Sequence, residues 1–334
     1  MTTVKEPTEV TADTLFQIAS GFMAAKHLFV ANAIGLFENL SRGATSLDDL
    51  AQRTGIARRR LRIVADAMVA LGLLERVGAQ YQNSAVTATF LSGAPGADLR
   101  PFLRFWDRLS FPTWTNFEAA VRTGQGQSSL HLPEEEQRIF SEGVEAIQVA
   151  PAAALPTTYD FSRHRRLLDI GGGTGSWLRA ILHRYPDLQA TLFELPAAAA
   201  LARKQLGDDP ATQHVDVVPG DFFTDALPAG HDAALIANVF HLFSAEHNRD
   251  LLRSVRRAVS TGGRLLMVDF WTDPTHTEPA FAALMAGEFL AITGEGDVYS
   301  AEDVGGWLEE TGWRLTEQQP VAGPISMIVA DATG

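Results

Sequence analysis

The sequence predicts a mainly helical N-terminal region followed by a doubly wound α/β domain. Apolar residues at helical spacing dominate the chain to about residue 160, whereas short apolar runs alternate with helical patterns from Arg165 onward. One of those runs, Leu167–Ile170, leads directly into a glycine-rich turn. A chain of 334 residues with 46% hydrophobic content is long enough to bury the cores of two domains.

The α/β pattern predicts strands over six ranges: 166–170, 190–194, 214–218, 232–238, 263–270 and 325–330. A helix from Ser300 to Glu310 should precede the last pair of strands. We expect three segments: a helical domain over 1–100, connecting helices over 101–160 and the α/β domain over 161–334. In such sheets the ligand lies at the carboxyl ends of the strands.

The first turn of the α/β domain carries the strongest ligand-binding pattern. Asp169 ends the strand, and Gly171, Gly173 and Gly175 follow at spacings of two. Glycines let the backbone approach a ligand closely, and the helix beginning at Ser176 offers free N–H groups to a carboxylate or phosphate. Because dinucleotide-binding folds use glycine in the same place, the turn alone leaves that alternative open.

Two further acids narrow the choice of ligand. Glu194, followed by Leu195, ends the second strand and suits hydrogen bonds to ribose hydroxyls. Asp221, between Gly220 and the pair Phe222–Phe223, suits an adenine amino group whose ring a phenyl face covers. Ser176 stands where the third glycine of a dinucleotide fingerprint would fall. The pattern therefore favours S-adenosylmethionine, which has an amino acid end, a ribose and an adenine.

These segments resemble the S-adenosylmethionine-dependent O-methyltransferases of the plant caffeate and bacterial polyketide type. The matching segments are Asp169–Gly175, Phe193–Pro196, Gly220–Phe223, Asn238–Phe243 and Gly262–Asp269. The resemblance implies a Rossmann-like class I methyltransferase domain behind a winged-helix dimerisation domain. It also implies a homodimer that methylates a small, aromatic secondary metabolite. The positions implied to contact the cofactor are Asp169, Gly171, Gly173, Gly175, Glu194, Leu195, Gly220, Asp221, Phe222 and Phe223.

His241 matches the general base of these enzymes and follows a predicted strand. A phenol with a pKa near 10 benefits from such a base. Of the two glutamates that orient the base in the family, Asp269 replaces the first, and Val298 aligns with the second when Ser300 is the anchor. Glu295 or Asp297 would be the substitutes for the second acid. We therefore predict a His241–Asp269 catalytic dyad, with a purely structural histidine as the alternative.

The residue after the base is Leu242, where relatives carry Asp or Asn. Since metal-bearing relatives would use an adjacent Asp, we predict no metal. This difference from the family leaves two alternative functions open. The enzyme would methylate carbon or nitrogen by proximity alone, or it would bind the cofactor without transferring a methyl group.

Aromatic side chains and one methionine, before and within the α/β domain, are candidates for the acceptor pocket, although core packing is the alternative for each of them. The candidates are Phe102, Trp106, Trp114, Trp271, Met285 and Phe289. Three other histidines, His231, His247 and His276, fall in segments that look like solvated loops.

The N-terminal region allows two interpretations. Its apolar density between Leu15 and Phe37 favours a subunit interface. A helix capped by Ser46, a second helix over 57–71 and a hairpin form a winged-helix pattern, and Arg58–Arg60 with Arg62 on the second helix would suit a DNA-binding regulator that senses S-adenosylmethionine. The net charge of −13 and the pI near 5.1 oppose nucleic acid and anionic membranes as partners, so salt bridges are the simpler explanation.

Composition sets the remaining expectations. The chain has no Cys, which excludes disulfides and thiolate metal sites. Its longest apolar runs fall well short of the ~18 residues that a membrane span needs. Residues Met1–Asp13 are polar and lack a signal-peptide pattern, so we expect a cytoplasmic protein.

Overall fold

The computed structural model describes residues 12–94, 98–127 and 132–334. The chain divides into two compact units, Met1–Arg108 and Leu109–Gly334. This division falls inside the 101–160 segment expected to connect the domains. Most of the Met1–Asp13 segment, on which the expectation about a signal peptide depends, lies outside the described residues.

The first unit is mainly helical and contains one small antiparallel sheet of order β1-β3-β2. Its elements are α1 (Ala12–Ala33), α2 (Leu36–Asn39), β1 (Thr45–Ser46), α3 (Leu47–Thr54), α4 (Arg58–Ala70), β2 (Leu74–Val77), β3 (Gln80–Asn83), α5 (Ala85–Phe90) and α6 (Arg100–Phe105). A π-helical turn, Trp106–Ser110, follows α6.

Local sequence accounts for the order of helices and hairpin in this unit. Ser46 caps α3, since its hydroxyl accepts a hydrogen bond from the Asp49 N–H at 3.1 Å. Two of the arginines that motivated the DNA-binding alternative are already paired with acids. Arg58 contacts Asp48 at 2.6 Å, and Arg62 contacts Asp66 at 2.7 Å.

Helix α1 has an exposed apolar surface at its N-terminal half. Five large side chains on it are between 53% and 74% exposed: Leu15, Phe16, Ile18, Phe22 and Met23. The C-terminal half turns inward, and Phe29 and Ala31 are buried. A contiguous exposed patch of this kind marks an interaction surface more often than a solvated helix face.

The second unit contains a seven-stranded sheet with helices around it. Its elements are α7 (Phe111–Trp114), α8 (Phe117–Thr123), α9 (Glu134–Thr158), β4 (Arg166–Ile170), α10 (Ser176–Arg184), β5 (Gln189–Glu194), α11 (Pro196–Gly207), β6 (Asp216–Pro219), β7 (His231–Ala237), α12 (Ala245–Ala258), β8 (Val259–Asp269), α13 (Ala280–Thr293), α14 (Ala301–Glu310), β9 (Trp313–Ala322) and β10 (Ile325–Ala332).

The strand order is β6-β5-β4-β7-β8-β10-β9. Strands β4 to β8 are parallel, and β10 runs antiparallel to both β8 and β9. The central strands are buried on both faces, as their near-continuous apolar sequences require. This arrangement confirms the predicted α/β class, and it brings the carboxyl ends of β4, β5, β6, β7 and β8 to one edge of the sheet.

Two of the histidines expected in solvated loops lie elsewhere. His231 begins β7, is buried and hydrogen-bonds the Thr191 hydroxyl at 3.0 Å, so that prediction was wrong. His247 lies in the first turn of α12, because Ser244 caps that helix. In the described part of the chain, no helix is long and apolar enough to span a membrane.

Candidate active site

The turn after β4 and the end of β5 are tied together by one carboxylate. Glu194 Oε2 accepts a hydrogen bond from the Gly173 N–H at 2.8 Å, and its Oε1 accepts one from the Leu195 N–H at 2.7 Å. Gly173 has φ of +59°, and among the described atoms nothing lies within 4 Å of the position a Cβ would take. The glycine turn therefore presents bare backbone to open space beside an acid.

Asp169 lies directly behind this turn and is fully buried. Within the described residues, neither of its carboxylate oxygens has a hydrogen-bond partner. Burial, with a smaller contribution from the charge of Glu194, raises the pKa of Asp169 to about 8. A side chain at Gly172 would overlap the Asp169 carboxylate, so the glycine run leaves this acid room. An unsatisfied buried carboxylate facing a glycine turn is a site for a cationic group.

Helix α9 braces the same turn. Thr174 Oγ1 donates to Glu145 Oε2 at 2.8 Å, and Ser176 Oγ donates to Gln148 Oε1 at 3.1 Å. Sequence analysis missed both α9 residues, since nothing in the spacing of a long polar helix indicates which side chains will reach a turn some 30 residues later.

The end of β6 supplies a third acid and two phenyl rings. Asp221 Oδ1 accepts a hydrogen bond from the Phe223 N–H at 2.9 Å. Phe222 and Phe223 lie edge to face, with centroids 4.7 Å apart, and Phe223 is exposed. Gly220 is required here because a side chain at that position would overlap the Phe193 ring.

The ends of β7 and β8 bring His241 and Asp269 together. Asn238, with φ of +55°, turns the chain out of β7 into a 3₁₀ turn, Phe240–Leu242, that holds the histidine. His241 Nδ1 lies 2.8 Å from Asp269 Oδ1, which also accepts the Phe270 N–H at 2.9 Å. Asp269 Oδ2 is buried without a partner among the described residues. The geometry is that of an imidazole oriented by a carboxylate.

Two phenyl rings stack against the imidazole. The Phe289 centroid lies 3.9 Å from that of His241 with an interplanar angle of 23°, and the Phe270 centroid lies at 5.1 Å with an angle of 12°. Phe289 comes from α13, so this contact joins the 3₁₀ turn to a helix far along the chain.

Position 298, where the resemblance places the second orienting glutamate, is occupied by a valine. Val298 is buried in an apolar cluster with Ala282 and Phe289. Glu295 pairs with His247 at 2.8 Å, and Asp297 accepts the Val298 N–H at 2.7 Å. Glu295 therefore does not substitute for the missing acid, and the bond that Asp297 makes to His241 comes from its backbone N–H rather than from its carboxylate.

The candidates for the acceptor pocket are distributed over both units. In the first unit, Phe102 and Trp106 contact each other with centroids 4.5 Å apart. In the second, Trp114 is partly exposed and Met285 packs near Phe289. Trp271 lies in the main core and donates its indole N–H to the Ser326 carbonyl at 3.2 Å, which favours the packing alternative for this residue.

Glu288 is a buried acid to which the sequence analysis gave no role. It lies beside Phe289 on α13 and accepts hydrogen bonds from the Ser110 and Trp114 side chains. Burial raises its pKa, and those two bonds oppose the rise. The signal in the sequence is a lone acid inside the apolar run of α13.

Comparison with known proteins agrees with this geometry. The chain matches the O-methyltransferase domain family over residues 115–314 and the O-methyltransferase dimerisation domain over residues 16–93. It is 33% identical over 305 residues to 3-hydroxy-5-methyl-1-naphthoate 3-O-methyltransferase of Streptomyces sahachiroi, covering 89% of this chain and 88% of that protein.

Two further relatives are informative. The N,N-dimethyltransferase OxyT of Streptomyces rimosus is 28% identical, with 96% of each chain covered. The solved structure of PigF with SAH superposes with a TM-score of 0.87 at 27% identity, covering 96% of this chain and all of that one.

The fold and the matched domains define a methyltransferase with a mostly parallel central sheet. The chain belongs to the S-adenosylmethionine-dependent O-methyltransferases of the small-molecule type, as its motifs predicted.

Proposed function

We propose that this enzyme transfers a methyl group from S-adenosylmethionine to a phenolic hydroxyl of a small aromatic secondary metabolite. The observation that carries the proposal is the buried His241–Asp269 pair at the carboxyl edge of the sheet, where the glycine turn and the acids of β5 and β6 also end. A base oriented by an acid serves a hydroxyl acceptor, whose proton must leave during transfer.

The residues present fit the cofactor. Asp169 offers two unsatisfied carboxylate oxygens to the methionyl ammonium group, and Glu194 offers acceptors to the ribose hydroxyls. Asp221 would accept from the adenine amino group, with Phe222 or Phe223 against the ring. When bound, S-adenosylmethionine supplies a methyl group on a sulfonium, whose sulfur is the leaving group when a nucleophile attacks the methyl carbon in line.

The protein's part in the reaction is to position the acceptor and to take its proton. Asp269 Oδ1 accepts from His241 Nδ1–H, and this assignment of the imidazole hydrogen leaves Nε2 free as the proton acceptor. The hydroxyl proton moves to Nε2 as the oxygen takes the methyl group. Holding both reactants in line supplies most of the rate, and the base supplies the remainder.

A direct assay tests the proposal. The purified enzyme is incubated with S-adenosylmethionine and a hydroxynaphthoate, the class of acceptor named for the Streptomyces sahachiroi relative. We expect a methyl ether by mass spectrometry, together with S-adenosylhomocysteine. A matched aminonaphthoate serves as the comparison. Product from the amine and none from any phenol in a broad panel would contradict phenolic O-methylation while leaving the methyltransferase assignment in place.

N-methylation is the second candidate, and specific observations favour it. Val298 stands where a second orienting acid would lie and Leu242 follows the base, so proton removal has less support than two orienting acids would give. The relative OxyT is an N,N-dimethyltransferase. An amine that reacts as its free base needs less help from a base, so the aminonaphthoate arm of the assay tests this candidate directly.

We further propose that the enzyme is a homodimer formed through α1, with no nucleic acid or membrane partner, and that it acts in the cytoplasm. The support is the exposed apolar face of α1 and the match of residues 16–93 to a dimerisation domain. Sedimentation at micromolar concentration should give twice the mass of the chain. Ile18→Glu and Phe22→Glu together should weaken the dimer. A wild-type monomer under these conditions would contradict the proposal.

A further inference from the structure

His241 is the meeting point of three nearly parallel rings. Its imidazole stacks on Phe289 and Phe270, and the two phenyl rings themselves lie 19° from parallel with centroids 5.8 Å apart. Stacked parallel rings restrict rotation of the imidazole about its side-chain bonds. Asp269 fixes only one nitrogen, and the two phenyl rings contact the face of the imidazole; their separation of 5.8 Å is too short for them to lie on opposite faces of it.

The ring stack on His241 packs against the chain segment where the resemblance places the second orienting acid. Val298 is in the same apolar cluster as Phe289. Gly296 lies against both: a side chain there would come within 2.7 Å of the Phe289 Cβ and within 2.6 Å of the His241 carbonyl oxygen. The Asp297 N–H donates to that carbonyl at 3.1 Å. The chain segment that would carry an orienting acid therefore presents apolar groups to the phenyl ring that covers the base.

We propose that Phe289 is a positioning residue for His241, with Phe270 in a lesser role, and that ring stacking replaces the second orienting carboxylate. This inference rests on the proposed role of His241 as the base. The sequence analysis placed Phe289 in the acceptor pocket. The inference assigns it instead to contact with the base.

Stacking has a chemical as well as a geometric effect. As the acceptor O–H bond breaks, its proton forms a bond to His241 Nε2 and the oxygen takes the methyl group, whose bonding electrons remain on sulfur. The imidazole thereby becomes a cation. The negative face of a phenyl ring attracts a cation at a centroid distance within about 6 Å, a condition that both rings meet. The phenyl faces therefore favour the same charge that a carboxylate would favour.

The experiment is an NMR measurement on the dimeric enzyme labelled with ¹⁵N-histidine, which needs no acceptor. The Nδ1 proton donated to Asp269 should give a slowly exchanging downfield signal, assigned by its loss in His241→Ala. Phe289→Leu removes the stacked ring while keeping an apolar side chain, and should broaden or abolish the signal. Phe289→Tyr keeps the ring and should retain it. Phe90→Leu, the same change at an exposed position of α5, is the matched control.

Kinetics supply the second readout with the hydroxynaphthoate probe. Phe289→Leu should lower kcat about tenfold with the acceptor KM little changed, because a misplaced base slows the chemical step. A raised acceptor KM with unchanged kcat, or a retained downfield signal in Phe289→Leu, would overturn the proposal in favour of a pocket wall. Phe289→Met repeats the comparison if the leucine variant does not fold. If no phenol is methylated by the wild type, the proposed function fails while the NMR comparison still decides the stacking.

Discussion

The two halves of the site are built differently. On the cofactor side, each acid lies at or just beyond the carboxyl end of its own strand, β4, β5 or β6, and the glycine turn supplies bare backbone. On the acceptor side, at the ends of β7 and β8, the base is held by Asp269 from one element and by a phenyl ring from α13. Each acid of the first half belongs to a short sequence pattern at the end of its own strand, whereas the base of the second half is held by side chains from other elements.

This difference separates the part of the site that fits the cofactor from the part that fits the acceptor. The cofactor half must fit one ligand through backbone and short acids. The acceptor half combines Leu242, Val298 and the stacked Phe289 around the base. We infer that reaction specificity is set on the acceptor half, and the predictions below test the two halves against each other.

The largest effect is expected from removing the base. His241→Ala should lower the turnover of a phenolic acceptor by about 10²–10⁴-fold, because it removes the group proposed to take the hydroxyl proton. Affinity for S-adenosylmethionine, measured by calorimetry, should stay within error. His183→Ala, at an exposed histidine of α10, is the control. A loss of less than about tenfold would move His241 to a structural role and favour transfer by proximity.

Asp269→Asn should have a smaller effect on the same half. The amide keeps the shape of the carboxylate but loses its charge, so orientation and charge stabilisation weaken while the imidazole remains. We expect kcat to fall by about 10–100-fold with cofactor affinity unchanged. Steady-state kinetics on the phenolic acceptor measures it. If Asp269→Asn were as active as wild type, the 2.8 Å contact would be a structural hydrogen bond only.

Glu194→Ala tests the cofactor half. Each charge-assisted hydrogen bond to a ribose hydroxyl contributes on the order of 1.5–3 kcal/mol, so affinity for S-adenosylmethionine should fall at least about tenfold. The kcat at saturating cofactor should change less than the affinity does. Glu309→Ala, at an exposed acid of α14, is the control. Unchanged affinity in calorimetry would remove Glu194 from the site and contradict the division into two halves.

The last prediction concerns Asp169 and the dependence of stability on pH. Burial raises the pKa of this carboxyl to about 8, above its unfolded value of 3.8. The stability it contributes is therefore fully present below the unfolded pKa and is lost as the pH rises through about 8. Without cofactor, the melting temperature of the wild type should fall from about pH 6 to about pH 9 more than that of Asp169→Asn, whose amide does not titrate.

Calorimetric or fluorescence melts of both proteins over that range give the comparison. If the melting temperatures of the two proteins changed with pH in parallel, Asp169 would be charged over the whole range. Added S-adenosylmethionine should reduce the wild-type slope, because a bound ammonium group favours the carboxylate. Glu288 is present in both proteins, so its raised pKa cancels in the difference, whereas Glu194 is coupled to Asp169 and its titration is part of the measured effect.

Much of the fold and of the cofactor half could be predicted, since both follow from short sequence patterns. Strand β4, the glycine turn and α10 lie where an apolar run, three glycines and a helical pattern put them. The surroundings of His241 could not be predicted in full. Whether Phe289 lies on the base or lines the acceptor pocket depends on how α13 packs, and no spacing within α13 specifies that. Glu295 was misjudged because its partner, His247, lies some 50 residues away.

The position of β10 bears on how the catalytic unit is made. It is the last strand of the unit in chain order, yet it lies between β8 and β9, and its Ser326 pairs with Asp269. The acid that orients the base therefore gains its neighbouring strand only after the rest of the sheet has been synthesised. Non-local strand pairing of this kind is slow, and unpaired strand edges promote aggregation meanwhile. A nascent chain that lacks residues 325–332 should thus be able to form the cofactor half of the sheet but not a working base.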